Sequence, residues 1–579
     1  MTRRVLIWIA SSLLLAALPA GPAAEASLAS IGYSVLRWLD RADIVHHDIT
    51  ARVNPAGWSA EFVDDVTFQA KGSRSLHILL GKDVRLDRVS DPAGASRVEF
   101  RRQISIAALP FDVYRLDLSP PPKGESFTLR FEWTINASTV KFLNPFFRSQ
   151  YFYAGFASVW HPYMPEESFF TANITVLVPP GYQAFAEGAP AVLPSAAERG
   201  DGSGWVSYSF ATDVPVNGMG LLVGRFQAEA IVASGEYRVE VWRPLASAST
   251  AARVGLSSAR AAEFLAERLG PPPVTQFRVI EAPFSEAASY TTLTNLVYGG
   301  DLGEAGLAGR EGLALFAAHE TAHKWIGAAT GTRLVGAAWL SEGLAEYLGY
   351  LALAGFEGAD AARRLFDERT YLPFAAGGAA TARALGAIEL FDNDVQWMYA
   401  KAPLLFRMLH RRLGTDRFFA LTRSFLEAHR GRHVTGRDFE AWIIENAKGE
   451  PPSGEGSPSG EWDEPLFAGG AGGDLAAFFD TWVRSRRQLD YALSVEVAEV
   501  SPGSEYAVTV AVRSVGQIQE PGAVDVALIF PGGAAERVVL APGERRTLQF
   551  STPPEGALLD PDRWLADSNP ANNAWRRSE

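Results

Sequence analysis

A multidomain α+β protein, with β structure at both ends and helices between, is the fold class that three observations predict. The chain has 579 residues, more than one ordinary hydrophobic core serves, so about three domains are expected. From about Ile31 to Val241 it runs in short alternating or aromatic-rich stretches broken by Pro, Gly, Asp and Asn. From about Ala246 it changes to long Ala-, Leu- and Arg-rich helical periodicity, and from Ala492 alternation returns.

The elements follow in order. Residues 1–26 carry Arg3-Arg4, an apolar run from Val5 to Leu18 and a small-residue Ala24-x-Ala26 site, which reads as a cleaved secretory signal. The run is short for a span, so a retained anchor is the alternative; no Cys follows, which excludes a lipoprotein anchor. Export to the periplasm or the extracellular space is expected, with no stable membrane span after cleavage. Residues 27–245 read as an N-terminal β domain, with strands such as Ala60 to Phe68, Phe127 to Trp133 and Ala172 to Val178, the last stopped by Pro179-Pro180-Gly181. The aromatic patch Leu143 to Phe156 reads as core of that domain.

Residues 246–490 read as a mostly helical catalytic domain. Helices are expected over Ala251–Leu269, Glu311–Ile326, Trp339–Tyr350, Asp360–Arg369, Asp394–Leu413, Arg417–His429, Arg437–Ala447 and Leu475–Arg486, with short strands at Phe277–Val279 and Leu293–Tyr298. A Pro-, Gly-, Ser- and Glu-rich stretch over 449–474 reads as a flexible surface insertion. Residues 491–579, with Val508 to Val512 and Val524 to Phe530, read as a small β sandwich.

A formal net charge of -13, with no basic run beyond the extreme N-terminus, argues against a nucleic-acid partner. The absence of cysteine removes any disulfide framework and leaves His, Glu and Asp as metal donors.

The most informative stretch is His319-Glu320-Thr321-Ala322-His323, with Glu342 following in Trp339-Leu340-Ser341-Glu342-Gly343-Leu344-Ala345-Glu346-Tyr347. Histidines at i and i+4 share one helix face, so both imidazoles reach one ion while Glu320 faces the water bound to it. Glu342, in the first turn of the next helix, closes the set and leaves a fourth tetrahedral position for that water. The expectation is one Zn2+ per chain, held by His319, His323 and Glu342, with Glu320 as general base. Glu346, one turn on, is either an outer partner of the ligands or a surface charge. His161, His410, His429 and His433 lack ligand spacing and read as structural or exposed.

These two motifs resemble those of the gluzincin aminopeptidases, the family of membrane alanyl aminopeptidase and leukotriene hydrolase. Tyr399-Ala400-Lys401-Ala402 is similar to the family's Tyr-x-Lys-Gly segment, and Val159 to Pro165 is similar to the end of its N-terminal domain. The helix ending in Phe478 to Val483 also fits. The resemblance implies an N-terminal β saddle, a thermolysin-like catalytic domain and a β sandwich, with the family's large C-terminal helical domain absent. It implies Tyr399 as donor to the oxyanion and a peptide as substrate, trimmed from its N-terminus. The family's Gly-x-Met-Glu-Asn segment, whose Glu captures the substrate α-amine, is altered here, and Glu286 is the only carboxylate of Phe284 to Tyr298. Glu286 is therefore the candidate amine ligand. The alternatives are an open-cleft zinc endopeptidase, a gluzincin resembling glycyl aminopeptidase, and a non-catalytic envelope binding protein on the same scaffold.

Overall fold

The computed structural model describes residues 42–577 except 71–74, 106–110, 123, 137–145, 149, 156–157, 165–168, 193–203, 246–249, 284–287, 300–308, 334–336, 378–382, 388–394, 449–473 and 520–521. The expected signal segment, Glu286 and all but the last residue of the expected insertion lie outside the described residues. The chain is a mixed α/β, multidomain structure with sheets at the N-terminal end and a helical region after them. Among the described residues no helix is long and apolar enough to cross a membrane.

The N-terminal sheets begin with two long hairpin strands, Ala42–Asn54 and Ser59–Ala70, which pair antiparallel at the centre of a seven-stranded sheet. Ala42–Asn54 also pairs in parallel with Thr171–Val178, a connection between residues far apart in the chain. Alternation decides the faces: in Thr171–Val178 the even-numbered positions Ala172, Ile174, Val176 and Val178 are buried. Phe62 stacks on Trp133 with ring centroids 5.1 Å apart, and Trp160, Phe147 and Phe152 join the same core. The aromatic patch is thus core where it is described. This core also takes in Leu293, Ala328 and Ala329, which flank the His319–His323 helix.

A five-stranded sheet links the two regions, in the order Phe226–Ser234, Tyr237–Pro244, Gln276–Glu281, Asn295–Gly299, Ala288–Thr291. Its first two strands, read from sequence with the N-terminal β region, are continuous with the strands of the helical region. Tyr237–Pro244, Gln276–Glu281 and Asn295–Gly299 run parallel, and Ala288–Thr291 turns back as an antiparallel edge.

Nine α-helices follow among the described residues: α1 (Ala251–Leu269), α2 (Arg310–Ala322), α3 (Ala338–Glu357), α4 (Ala359–Phe366), α5 (Leu372–Ala376), α6 (Val395–Leu413), α7 (Thr415–Ala428), α8 (Gly436–Asn446) and α9 (Leu475–Phe479). Two expectations need correction. The helix expected over Glu311–Ile326 stops at Ala322, because Gly327 takes φ 109° and Thr330 N–H donates to Trp325 O, folding the next residues into a turn. The helix expected over Trp339–Tyr350 runs from Ala338 to Glu357, so Glu342 begins its second turn.

α3 is buried on nearly every face as far as Leu353, which is why its sequence is apolar all round and not striped. It packs against α2 on one side and α6 on the other, and two glycines permit the approach. A Cβ on Gly343 would overlap that of Ala402, and a Cβ on Gly349 would lie 3.1 Å from the backbone N of His319. The C-terminal strands form a three-stranded and a four-stranded sheet, with Val508, Val510, Val512, Val526 and Leu528 sharing one hydrophobic cluster with α3 and α6.

Gly343→Ala is expected to lower the thermal unfolding transition, because overpacking a filled helix contact costs about 1–3 kcal/mol. A transition within a degree of wild type by calorimetry would show that α3 and α6 can part without cost.

Candidate metal centre

The site lies where α2 ends and the first turns of α3 begin. His319 and His323 share one face of α2, with ring centroids 4.8 Å apart and the two Nε2 atoms 3.1 Å apart. Oε2 of Glu342 lies 3.6 Å from His319 Nε2 and 3.5 Å from His323 Nε2. The structure therefore brings together His319, His323 and Glu342 as a group able to hold a metal ion.

The donors fit zinc on distance as well as type. Ligand bonds of about 2.0–2.2 Å in a tetrahedron put donor atoms roughly 3.3–3.6 Å apart; the two separations to Glu342 fall in that range, and the 3.1 Å between the imidazoles lies just below it. Outer contacts orient the rings. His323 Nδ1 lies 3.1 Å from Ile326 O, so its N–H donates to the carbonyl and Nε2 faces the donor group. His319 Nδ1 lies 2.8 Å from Glu346 Oε2, though off hydrogen-bond alignment, so the contact is chiefly ionic. Glu346 is buried here, which places it beside the ligands and not at the surface.

Electrostatics follow from burial. Burial disfavours charge on His319, but Glu342, Glu346 and Glu320 outweigh it and hold the imidazole well above its ordinary range. His323 is raised in the same way, chiefly by Glu342. Burial works against the charged form of Glu342 too, yet His323 and His319 hold it well below the ordinary carboxylate range.

Glu320 is also buried and accepts a hydrogen bond of 2.6 Å from the Thr291 hydroxyl. Tyr399, on α6, donates from its hydroxyl to Glu342 Oε2 at 2.8 Å. Burial, then the nearby Glu342, raise its pKa well above the ordinary phenol range, so it remains a donor. Glu286, the candidate amine ligand, lies outside the described residues, two positions before the Ala288–Thr291 edge strand. His161 and His410 are buried, and burial pulls each imidazole down to about 3. His410 Nδ1 lies 2.8 Å from the Tyr347 hydroxyl, a structural role.

Two residues escaped the sequence reading. Thr291 carries no motif signal, because its place depends on strand register. Lys324, directly after His323, is buried and donates to Thr292 O and Leu293 O at 3.2 and 2.9 Å. A charged side chain inside an otherwise apolar turn was the one available hint.

Two histidines one helical turn apart, a carboxylate from the next helix and a glutamate between the histidines define the class of zinc-dependent hydrolases with a helical His-Glu-x-x-His site. Residues 286–455, which hold the whole site, match the Peptidase family M1 domain, the family of the gluzincin aminopeptidases that the two motifs resemble. Aminopeptidase N of Lactococcus lactis subsp. lactis is 27% identical over 186 residues, which cover 30% of this chain and 19% of the relative. Human aminopeptidase O is 28% identical over 158 residues, or 22% of this chain and 19% of the relative. The aligned part thus spans about a fifth of each curated relative. Among solved structures, Legionella pneumophila aminopeptidase A in complex with aspartic acid superposes with a TM-score of 0.64 at 15% identity, over 93% of this chain and 60% of that one. An M1 zinc metallopeptidase mutant from Deinococcus radiodurans gives 0.56 at 17% identity, over 77% of this chain and 95% of that one. At these identities the two structures show a shared fold.

Zinc binding competes with protons for the two imidazoles, so zinc added to metal-free protein at pH 7 is expected to release protons, with affinity falling as pH falls. Calorimetry in two buffers of different ionisation enthalpy measures this. His323→Ala should lose stoichiometric binding, and a zinc content unchanged in that variant would remove the assignment.

Proposed function

We propose that this chain is a zinc-dependent peptide hydrolase that removes residues from the N-termini of peptides. The observation that carries the reading is the convergence of His319, His323 and Glu342 beside a buried Glu320, within the region that matches the M1 domain. His319, His323 and Glu342 would hold the ion. Bound there, zinc supplies a Lewis acid for the scissile carbonyl and lowers the pKa of the attacking water towards about 7.

The remaining work falls to the protein. Glu320 takes the proton from the water and delivers it to the departing amine, as a base held at hydrogen-bond reach does. Tyr399, kept protonated by burial and by Glu342, turns its hydroxyl to the developing oxyanion. Its bond to Glu342 holds that hydroxyl beside the metal donors.

On the same reading the N-terminal sheets form the family's β saddle, the five-stranded sheet with α1 to α9 its thermolysin-like domain, and the two C-terminal sheets a β sandwich. The Arg3-Arg4 pair and the apolar run after it support export by a cleaved signal.

Glu320→Gln should retain about one zinc per chain and lose turnover by roughly 10²-fold or more, since a general base contributes about 10²–10⁴-fold. Activity within a few-fold of wild type would sink that role. Tyr399→Phe should lower kcat by roughly 10²-fold with KM little changed, the pattern of a bond made in the transition state. An unchanged kcat would assign Tyr399 to packing alone.

The N-terminal specificity is tested with paired peptides. Free peptides should be trimmed stepwise and their N-acetylated forms left intact; equal cleavage of both would replace the aminopeptidase reading with an open-cleft endopeptidase.

A further inference from the structure

We propose that Thr291 is a positioning residue for Glu320, and that the turn after it is built to hold it there. The inference rests on the peptidase reading for its kinetic consequence, but its geometry stands apart from that reading. Thr291 is the last residue of the edge strand Ala288–Thr291, paired in register with Leu296 of Asn295–Gly299. Its hydroxyl donates to Oε2 of Glu320 at 2.6 Å, short and charge-assisted. Glutamate has three side-chain torsions, and a carboxylate that takes a proton at one point in space loses rate when it samples the others. A hydroxyl on a paired strand removes that freedom.

The strand end is itself fixed from both sides. Within the turn, Thr292 N–H donates to Asn295 O at 2.9 Å and Asn295 N–H to Thr292 Oγ1 at 3.2 Å. From the α2 side, Lys324 donates to Thr292 O and Leu293 O, and its ammonium lies 4.1 Å from the centre of the Phe277 ring. From the N-terminal sheets, Glu187 accepts from the backbone N–H and the hydroxyl of Thr294 at 3.2 and 3.0 Å. Asn295 Nδ2 adds a bond of 3.0 Å to Ala186 O. Lys324 and Glu187 are both buried, so these bonds are shielded from competing water. Lys324 is the neighbour of His323, so one turn of chain ties the strand that orients the base to the segment that carries the metal donors.

A threonine that only packs at a strand end predicts different behaviour from one that aims Glu320. Thr291→Val keeps shape and volume but removes the donor, and Thr291→Ser keeps the donor and loses a methyl. Thr291→Val should lower kcat by roughly 10- to 100-fold, the scale of a small misplacement of a reacting group, with KM within about twofold and zinc content unchanged. Thr291→Ser should stay within about threefold of wild type, and in a Glu320→Gln background Thr291→Val should add less than about twofold, because the two residues act as a unit. The second readout needs no turnover: crystals of zinc-loaded Thr291→Val should show Glu320 in more than one rotamer, and those of Thr291→Ser in one. A single, unchanged Glu320 rotamer in Thr291→Val overturns the proposal, as does a serine variant as slow as the valine variant. Should Thr291→Val fail to fold, Thr291→Ala removes the same hydroxyl and carries both readouts. If the wild type cleaves no peptide, the peptidase reading fails by itself, and the rotamer comparison still decides the role of Thr291.

Discussion

Two helices have to approach closely enough for one carboxylate to reach two imidazoles, and most of the catalytic region serves that approach. Gly349 lets α3 lie against the backbone of His319, and Gly343 lets α6 close on the opposite face. The contact is then braced by large rings: Trp339 stacks on Phe406 with centroids 5.8 Å apart, and the Trp325 indole donates to Gly270 O at 2.8 Å. A buried α3 has no solvent face to relax towards, so a shift of its axis would move Glu342 away from both histidines at once. Tyr399 rides on α6 and reaches the same carboxylate, so the packing that sets Glu342 also sets the donor across from it.

Burial would make such a charge cluster costly if its members were isolated, and they are not. Each charged group in it faces an opposite one: Glu342 the two imidazoles, Glu346 the far nitrogen of His319. Desolvation and pairing oppose each other at every member, and the pairing wins for both histidines and for Glu342. The pairing therefore holds the donor atoms at separations close to those that a metal requires.

How much of this was legible in the chain depended on the range of the interaction. The donor spacing His319–His323 is local, so helical periodicity carried it, and the apolar run after Trp339 marked a helix long enough to present Glu342. The change from strand to helical patterning near Ala246 marked the start of α1, but not that Tyr237–Pro244, and the hairpin partner Phe226–Ser234 with it, joins a strand beyond it, because parallel pairing leaves no local trace. The end of α2 was misplaced by four residues for a related reason: Lys324, Trp325 and Ile326 are acceptable helix formers, and the bonds that fold them into a turn come from Gly270, Thr330 and the 292–293 carbonyls. Thr291 was invisible because its function follows from register, which a one-residue slip would reverse.

The early stop of α2 also changes the field at the site. His323 is the residue at which the helix ends, so both imidazoles stand over the last turn, where backbone carbonyls sum to roughly half a negative charge. That pole attracts a cation and repels an anion by about 0.3–1 kcal/mol, more where water is excluded. Unlike Glu342 or the histidines, it has no proton to gain or lose. In acid, as the side chains lose their hold on a metal one by one, the end of the helix goes on pulling in the same direction.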